Sequence, residues 1–132
     1  MKSQKRIAMH LERILGAAKA ALSFTEGIDR DAFLNDEKTQ HAVAMTLVNL
    51  GEAVKTLRRD HLDYLGEHRE IAWQEITGMR HRIAHDYFQL NFGIVWETVR
   101  ESLPQLAKKL PAMIAELDKK YPPMDFEPDS DT

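Results

Sequence analysis

The sequence predicts an all-α protein, a bundle of four or five helices with up-and-down topology. Apolar residues recur every three or four positions wherever a pattern can be read, as on one face of a helix. No stretch alternates apolar and polar residues over the length of a strand. The 132 residues, of which 43% are hydrophobic and 30% charged, are enough for one globular domain with one core.

The first predicted helix runs to about Phe24 and presents one apolar face. Gly27 and the polar cluster at 29–31 then break the pattern. Asn35 or Asp36 is the expected N-cap of the second helix, because a short polar side chain can accept a hydrogen bond from a free backbone N–H of the first turn. The apolar positions of the first helix are Ile7, Leu11, Ile14, Ala18 and Leu22, and those of the second are Val43, Leu47, Leu50, Val54 and Leu57.

The second half of the chain predicts two further helical stretches. The second helix fades near Asp60, and a polar connection follows over 61–68. A third helix is expected from Glu70 or Ile71, and 91–93 forms a short connection to the last helix. The apolar side of the third helix consists of Trp73, Ile76, Met79 and Ile83, and that of the last begins with Ile94, Val95, Val99 and Leu103.

Two prolines, Pro104 and Pro111, fall inside the last helical stretch. Proline lacks the backbone N–H and its ring clashes with the preceding turn, so we expect a kink or a break near these residues. Residues 1–121 are expected to form the helical domain. Residues 122–132 contain prolines and acids with little to bury, and they are expected to form a mobile tail.

The net charge and the absence of cysteine exclude some classes of function and disfavour others. The net charge of −3 argues against a nucleic-acid partner, but four of the 21 acidic residues lie between Pro122 and Thr132. The remaining sequence has 17 acidic and 18 basic residues. The absence of cysteine excludes disulfides, thiolate zinc sites and a cysteine nucleophile. No membrane span or signal peptide is recognisable, so a cytoplasmic protein without membrane partners is expected.

The densest group of functional side chains lies at 78–88, GMRHRIAHDYF, in a stretch that otherwise reads as a core helix. On a regular helix Arg80, Ala84 and Tyr87 share a face, and His81 and His85 lie one turn apart. Arg80 and His85 are separated by roughly 140° around the axis, so one helix cannot direct both at a small ligand. Two copies of the helix could do so across a shared cleft.

Arg80, His85 and Tyr87 form the pattern R-x-x-x-x-H-x-Y, which resembles the signature of the HepT branch of the HEPN superfamily, a group of small helical toxins and nucleotide-associated domains. The surrounding sequence strengthens the resemblance, which covers about residues 5–118. The position after the arginine is usually asparagine in this branch, and here it is His81. The other matching pieces are Leu50-Gly51-Glu52-Ala53-Val54, Ile71 to Arg80, Ile94-Val95-Trp96 and Leu103-Pro104-Gln105-Leu106.

The resemblance implies a HEPN-like fold and a metal-independent endoribonuclease toxin that works as a homodimer without a cofactor. It also implies a minimal nucleotidyltransferase (MNT) antitoxin as partner, which silences the toxin by transferring AMP to the motif tyrosine, here Tyr87. The residue chemistry agrees with RNA cleavage. Histidine can act as base or acid near neutral pH, which suits His85, and Arg80 can hold phosphate oxygens and stabilise the transition state.

Several side chains have simpler interpretations. His85 could cap the end of its helix. Arg82 and Asp86 are spaced as a surface ion pair, although Asp86 could also orient His85. Glu52 could be a buried partner of Arg80, a residue of the dimer cleft, or a solvated side chain. His81 is the least defined supporting residue of the predicted site.

Other features also allow a plain structural reading. His81 and His85 have the spacing of a zinc pair, but Arg82 stands where the metalloprotease pattern has its glutamate, so no metal site is predicted. Trp73 and Trp96 are expected in the core. The basic pairs Arg58-Arg59 and Lys108-Lys109 are expected to be solvent-exposed surface residues. The alternative is that they guide RNA phosphates to the site.

Two other functions remain open from the sequence. A non-catalytic HEPN module could bind a nucleotide, or present a substrate to a nucleotidyltransferase, with Arg80 and His85 holding phosphate. A plain helical dimerisation protein would use the same residues for stability alone. Cleavage of RNA by the purified chain would distinguish the ribonuclease toxin from both the non-catalytic module and the dimerisation protein.

Overall fold

A computed structural model describes residues 2–120 of the chain, apart from the side chains of the two end residues. All regular structure in that range is helical, which confirms the predicted fold class. The predicted tail at 122–132 lies outside the described residues. The helices are α1 (Lys2–Phe24), α2 (Arg30–Leu34), α3 (Glu37–Asp60), α4 (Leu62–Gly66), α5 (Trp73–His85), α6 (Phe92–Glu97) and α7 (Leu103–Lys120), with a 3-10 turn at Tyr87–Gln89 and a π-helical turn at Thr98–Ser102.

The long helices form the bundle around one apolar core. Helix α1 packs against α3 and α7, and α3 packs against α5 on its other side. The predicted apolar faces of α1 and α3 are buried, and Leu11, Ile14 and Ala18 of α1 are fully inaccessible to solvent. Helix α3 is therefore the central element of the bundle, and α5 packs against it.

Capping explains where the first helices begin and end. Helix α1 ends at Phe24 as predicted, and Gly27 takes a positive φ of 78°, a conformation that other residues rarely adopt. The Asp36 carboxylate accepts hydrogen bonds from the Thr39 backbone N–H at 3.1 Å and the Thr39 hydroxyl at 2.6 Å. Asp36 is thus the N-cap of α3, one of the two predicted candidates.

The polar break after α1 contains a helix that the sequence analysis did not predict. The Asp29 carboxylate accepts a hydrogen bond from the Ala32 N–H at 2.8 Å and caps α2. This short helix places Phe33, which is fully buried, with its ring centroid 5.2 Å from that of Trp96. Trp73 and Trp96 are both buried, which confirms their predicted place in the core.

The connection between α3 and α5 also differs from the prediction. Residues 61–68 were expected to be a polar loop, but they include α4, whose Leu65 is buried. Helix α5 begins at Trp73, two residues after the later predicted start, because Ile71 closes a turn with its N–H on the His68 carbonyl. The Trp73 indole N–H also donates to this carbonyl, at 3.0 Å.

The two prolines of the last stretch have different effects. Before Pro104 the chain widens into the π-helical turn, in which the Leu103 N–H bonds the Thr98 carbonyl five residues back. This irregularity lies where a break was predicted. Pro111, however, lies inside α7, which continues through it, so of the two expected outcomes, a kink or a break, there is no break at Pro111.

The π-helical turn is tied to the end of α1 by Arg100. Its guanidinium donates to the Thr25 carbonyl at 2.6 Å and to the Ile28 carbonyl at 3.2 Å. The same group lies 4.3 Å from the centroid of the Trp96 ring, a cation–π contact. These contacts tie the connection between α1 and α2 to the π-helical turn.

Candidate functional site

Helices α3 and α5 approach each other closely at Gly51 and Arg80. A Cβ atom at position 51 would lie 2.7 Å from Cγ of Arg80 and closer still to its Cβ. Side-chain carbons do not tolerate such separations, so glycine is required here for the two helices to touch. The close contact between Gly51 and Arg80 therefore fixes where the Arg80 side chain starts relative to α3.

The head group of Arg80 is held by Glu52, the neighbour of that glycine. A terminal guanidinium nitrogen of Arg80 donates to Oε1 of Glu52 in a salt bridge. The side chains are 20% and 47% exposed, so the arginine is the more enclosed partner. The structure shows the predicted pairing of Glu52 with Arg80, although the Glu52 side chain is half-exposed and not buried.

One nitrogen of the Arg80 guanidinium has no partner. Nε is buried and forms no hydrogen bond within the described part of the chain. A buried N–H of a charged group without an acceptor is unfavourable, and an incoming oxyanion could supply the missing acceptor after a small rearrangement. Arg80 is thus positioned by Glu52 but not fully satisfied by it.

The two histidines of α5 lie on its exposed side. His81 and His85 are both solvent-exposed, and their ring centroids are 4.4 Å apart, as expected for positions one turn apart. Arg80 instead faces α3, so the divergence expected from the helical wheel is present. Within one chain, no contact joins Arg80 to His85.

Asp86 does not have either of its predicted roles. It is the C-cap of α5, and its backbone N–H bonds the Arg82 carbonyl at 2.8 Å. Its carboxylate is exposed and forms neither an ion pair with Arg82 nor a hydrogen bond with His85. The expected Arg82–Asp86 pair is therefore wrong, because the chain leaves the helix at Asp86 and the i, i+4 geometry is lost.

The motif tyrosine lies beyond the helix and not on the face it was predicted to share with Arg80. Helix α5 ends at His85, and Tyr87 begins the 3-10 turn. The turn directs the partly buried Tyr87 ring towards Phe92, at a centroid distance of 6.0 Å, while Phe88 is fully exposed. Burial, with a contribution from Glu37, raises the pKa of the Tyr87 hydroxyl above its usual value.

The Tyr87 hydroxyl forms a hydrogen bond with Nδ1 of His41 on α3. The two rings meet edge to face, with centroids 5.3 Å apart and an interplanar angle of 76°. The sequence analysis did not identify His41, which is 46 residues from Tyr87 and belongs to no motif. No local signal marks it, because α3 is an amphipathic helix on which several other polar side chains are also exposed.

A shallow basic groove of about 460 Å³ runs beside Arg80 between the second half of α3 and α5. Besides Arg80 its cationic lining comes from Lys55, Arg58 and Arg59, and His81 lies at its edge. Arg59 is paired with Asp60 at 2.9 Å, and Arg58 donates to the Thr77 hydroxyl at 2.9 Å. Lys55 forms no ion pair with any residue of the described range.

These positions determine what the site can do chemically. It combines a fixed guanidinium, two titratable imidazoles and a row of cations, a set suited to binding and cleaving a phosphodiester. Within residues 2–120, no three histidine or acidic side chains are grouped closely enough to bind a metal ion. In the same range, no helix is both long enough and apolar enough to cross a membrane.

The fold and the site define a small helical protein with a partly enclosed arginine between its central helices, paired with Glu52 and with an Nε that lacks an acceptor. Residues 14–113 match the family model of HepT-like ribonucleases, described as "Ribonuclease HepT-like". The chain therefore belongs to the HepT-like ribonuclease family, whose members are RNA-cleaving enzymes.

Individual relatives agree with the family match. "Probable ribonuclease HepT" of Thermococcus cleftensis is 38% identical over 100 residues, covering 76% of this chain and 88% of the relative. "Putative RNase TTE0752" of Caldanaerobacter subterraneus subsp. tengcongensis is 34% identical over 101 residues, with the same coverage. "Putative RNase MJ0127" of Methanocaldococcus jannaschii is 31% identical over 115 residues, covering 87% and 93%. No solved structure matches the chain significantly.

Proposed function

We propose that this chain is the toxin of a HEPN/MNT toxin–antitoxin system, a metal-independent endoribonuclease with Arg80 and His85 as its catalytic residues. The observation that supports this most directly is the arrangement around Arg80. Gly51 allows its helix to approach α3, Glu52 orients its guanidinium, and its Nε still lacks an acceptor. Such an arginine is prepared for a phosphate oxygen.

The proposed reaction divides into proton transfer and charge stabilisation. His85 removes the proton of the ribose 2′-hydroxyl, whose oxygen attacks phosphorus, and an imidazolium protonates the departing 5′-oxygen. Arg80 stabilises the negative charge of the pentacoordinate phosphorus. The products are a 2′,3′-cyclic phosphate and a free 5′-hydroxyl. His81 supports His85 through the ring contact at 4.4 Å.

We propose a homodimer because one chain directs Arg80 and His85 to different sides of α5. A second copy facing the first would place the His85 of one protomer across the cleft from the Arg80 of the other. It would also supply both a base and an acid. The fully exposed Phe88 and the half-exposed Ile94, close in sequence to the motif, are apolar surface that a second copy could cover.

We propose that the basic groove binds the RNA strand next to the cleaved bond. Lys55 is the best test of this, because it has no ion-pair partner in the described range. Lys55→Ala should weaken RNA binding and reduce the slope of log affinity against log salt by about 0.7, as expected for the loss of one phosphate contact to a single strand. Lys19→Ala is the matched control, since Lys19 is exposed near the opposite end of the bundle.

We propose that the partner is an MNT antitoxin that transfers AMP to Tyr87. The hydroxyl lies two residues after His85, so an adenylate there would add bulk and negative charge where the RNA phosphate binds. The partial exposure of Tyr87 leaves its hydroxyl within reach of a partner enzyme. Both reactions are expected in the cytoplasm, where RNA and ATP are available.

The decisive experiment is cleavage of labelled RNA by the purified chain in the presence of a chelator. We expect cleavage with cyclic phosphate ends, a loss of at least about 100-fold for Arg80→Ala or His85→Ala, and unchanged far-UV circular dichroism. Nucleotide binding without cleavage would instead support the non-catalytic module. Variants that alter only the melting temperature would support a plain dimerisation protein.

A further inference from the structure

The pairing of Tyr87 with His41 has no part in the proposed RNA cleavage. His41 comes from the first half of α3. The contact combines a direct hydrogen bond to Nδ1 with an edge-to-face ring contact at 5.3 Å, so both the hydroxyl and the ring of Tyr87 are held. The phenolic oxygen is therefore held in a defined position next to an imidazole.

The direction of the hydrogen bond depends on the state of the phenol and on the tautomer of His41. Burial and the Glu37 carboxylate raise the pKa of Tyr87, so its hydroxyl keeps its proton at neutral pH. The neutral hydroxyl can donate to the imidazole, which then accepts at Nδ1 and carries its own proton on Nε2. In that tautomer the phenolic proton points at a base.

We propose that His41 orients the Tyr87 hydroxyl and accepts its proton when the tyrosine is adenylylated. This inference rests on the proposed modification of Tyr87. The phenolic oxygen forms a bond to the α-phosphorus of ATP, and the bond from that phosphorus to the oxygen bridging to the β-phosphate breaks. Pyrophosphate leaves, and the phenolic proton moves to Nδ1, which makes His41 an imidazolium ion.

The geometry also explains why a neutral tyrosine needs such help. A phenol with a raised pKa is a poor nucleophile, and it becomes effective when a base removes its proton during the attack. His41 already touches the reacting oxygen, so no movement of the toxin chain is required. After transfer the proton is on Nδ1, so a hydrogen bond at this position would run from the imidazolium to an oxygen of the adenylate.

Three variants separate orientation from proton transfer. His41→Ala removes both. His41→Asn keeps a hydrogen-bond acceptor near the position of Nδ1 but cannot take up a proton at neutral pH. His68→Asn is the control, because the His68 ring also contacts a tyrosine ring, that of Tyr64 at 4.8 Å, without a hydrogen bond between them.

The rate of AMP incorporation is measured by intact-protein mass spectrometry with the cognate nucleotidyltransferase, Mg²⁺ and ATP. We expect His41→Ala to slow incorporation by about 10²- to 10⁴-fold and His41→Asn by at least about tenfold, with His68→Asn unchanged. RNA cleavage by each unmodified variant should stay within about twofold of the wild type. Tyr87→Phe should accept no AMP.

The outcomes distinguish the two levels of the proposal. Normal incorporation into His41→Ala would refute the role of His41 and leave the modification of Tyr87 intact. Full activity of His41→Asn with loss in His41→Ala would reduce His41 to an orienting residue and refute proton transfer. No AMP on the wild type would overturn the proposed modification together with this inference. A histidine-selective ¹⁵N NMR spectrum reports the hydrogen bond separately, since Tyr87→Phe should shift the Nδ1 signal of His41.

Discussion

Replacing Gly51 by alanine tests the close approach on which the position of Arg80 depends. The new Cβ would lie 2.7 Å from Cγ of Arg80, whereas ordinary contacts between such atoms are 3.4–4 Å. Relief requires the two helices to separate by roughly 1 Å. Overpacking of this kind costs about 1–3 kcal/mol. Alanine's higher helix propensity returns about 1 kcal/mol, so the net loss of stability should be small.

Gly16→Ala provides the matched control for stability. Gly16 also lies inside a helix, but nothing lies within 4 Å of a Cβ built there. The Gly16→Ala variant should therefore gain the stability that alanine's higher helix propensity provides, without the cost of a steric clash. The difference in melting temperature between the two alanine variants then isolates the clash, and at about 4 °C per kcal/mol we expect Gly51→Ala to melt about 4–12 °C below Gly16→Ala.

The effect on RNA cleavage should be larger than the effect on stability. A displacement of about 1 Å in a group that stabilises the transition state can reduce the rate about 100-fold. We therefore expect kcat/KM of Gly51→Ala to fall by about that factor at a temperature where the variant is fully folded. If Gly51→Ala has the same melting temperature as Gly16→Ala and cleaves RNA like the wild type, the reasoning about the Gly51–Arg80 contact is refuted.

Three further predictions concern the scaffold. Asp36→Ala should lower the melting temperature, whereas Asp36→Asn should largely keep it, and equal melting temperatures of the two variants would contradict the role of Asp36 as N-cap. Because hydrogen bonds from Thr39 lower the pKa of Asp36, the stability that this cap contributes in the wild type should be lost as the pH falls through that pKa. Burial, with Glu116 nearby, raises the pKa of Tyr64 to about 12, so the fold should lose stability from about pH 10 to 12, and Tyr64→Phe should reduce that loss in alkaline melting curves. Phe33→Ala should cost about 3–5 kcal/mol in urea unfolding, and a loss below 1 kcal/mol would contradict its burial against Trp96.

The sequence predicted the elements with strong apolar periodicity and missed those defined by one or two contacts. Helix α3 was predicted with its cap, its apolar face and its end. Helix α2 and helix α4 have five residues each, too few for a periodic pattern, and each is anchored by one buried side chain, Phe33 or Leu65. Their existence depends on tertiary packing, which a local pattern does not record.

The same distinction applies to the candidate site. The motif pointed to Arg80, His85 and Tyr87 from local spacing and resemblance. The partner of the arginine, Glu52, was one of three possibilities, since a polar residue on an apolar helix face can be paired or solvated. His41 could not be selected, because an exposed histidine gains a role only when a distant turn brings a hydroxyl to it.

If RNA binds as proposed, the ion pair between Arg80 and Glu52 sets the order in which a strand meets the protein. Because Glu52 neutralises Arg80 in the free chain, the arginine contributes little to the field that attracts a polyanion over several ångströms. On the proposed binding mode that attraction comes from the groove, where Lys55 and Arg58 have no carboxylate partner in the described range. A strand should therefore be captured by the groove first and reach Arg80 last, by displacing Glu52, so capture is sensitive to salt and the final step to the identity of residue 52.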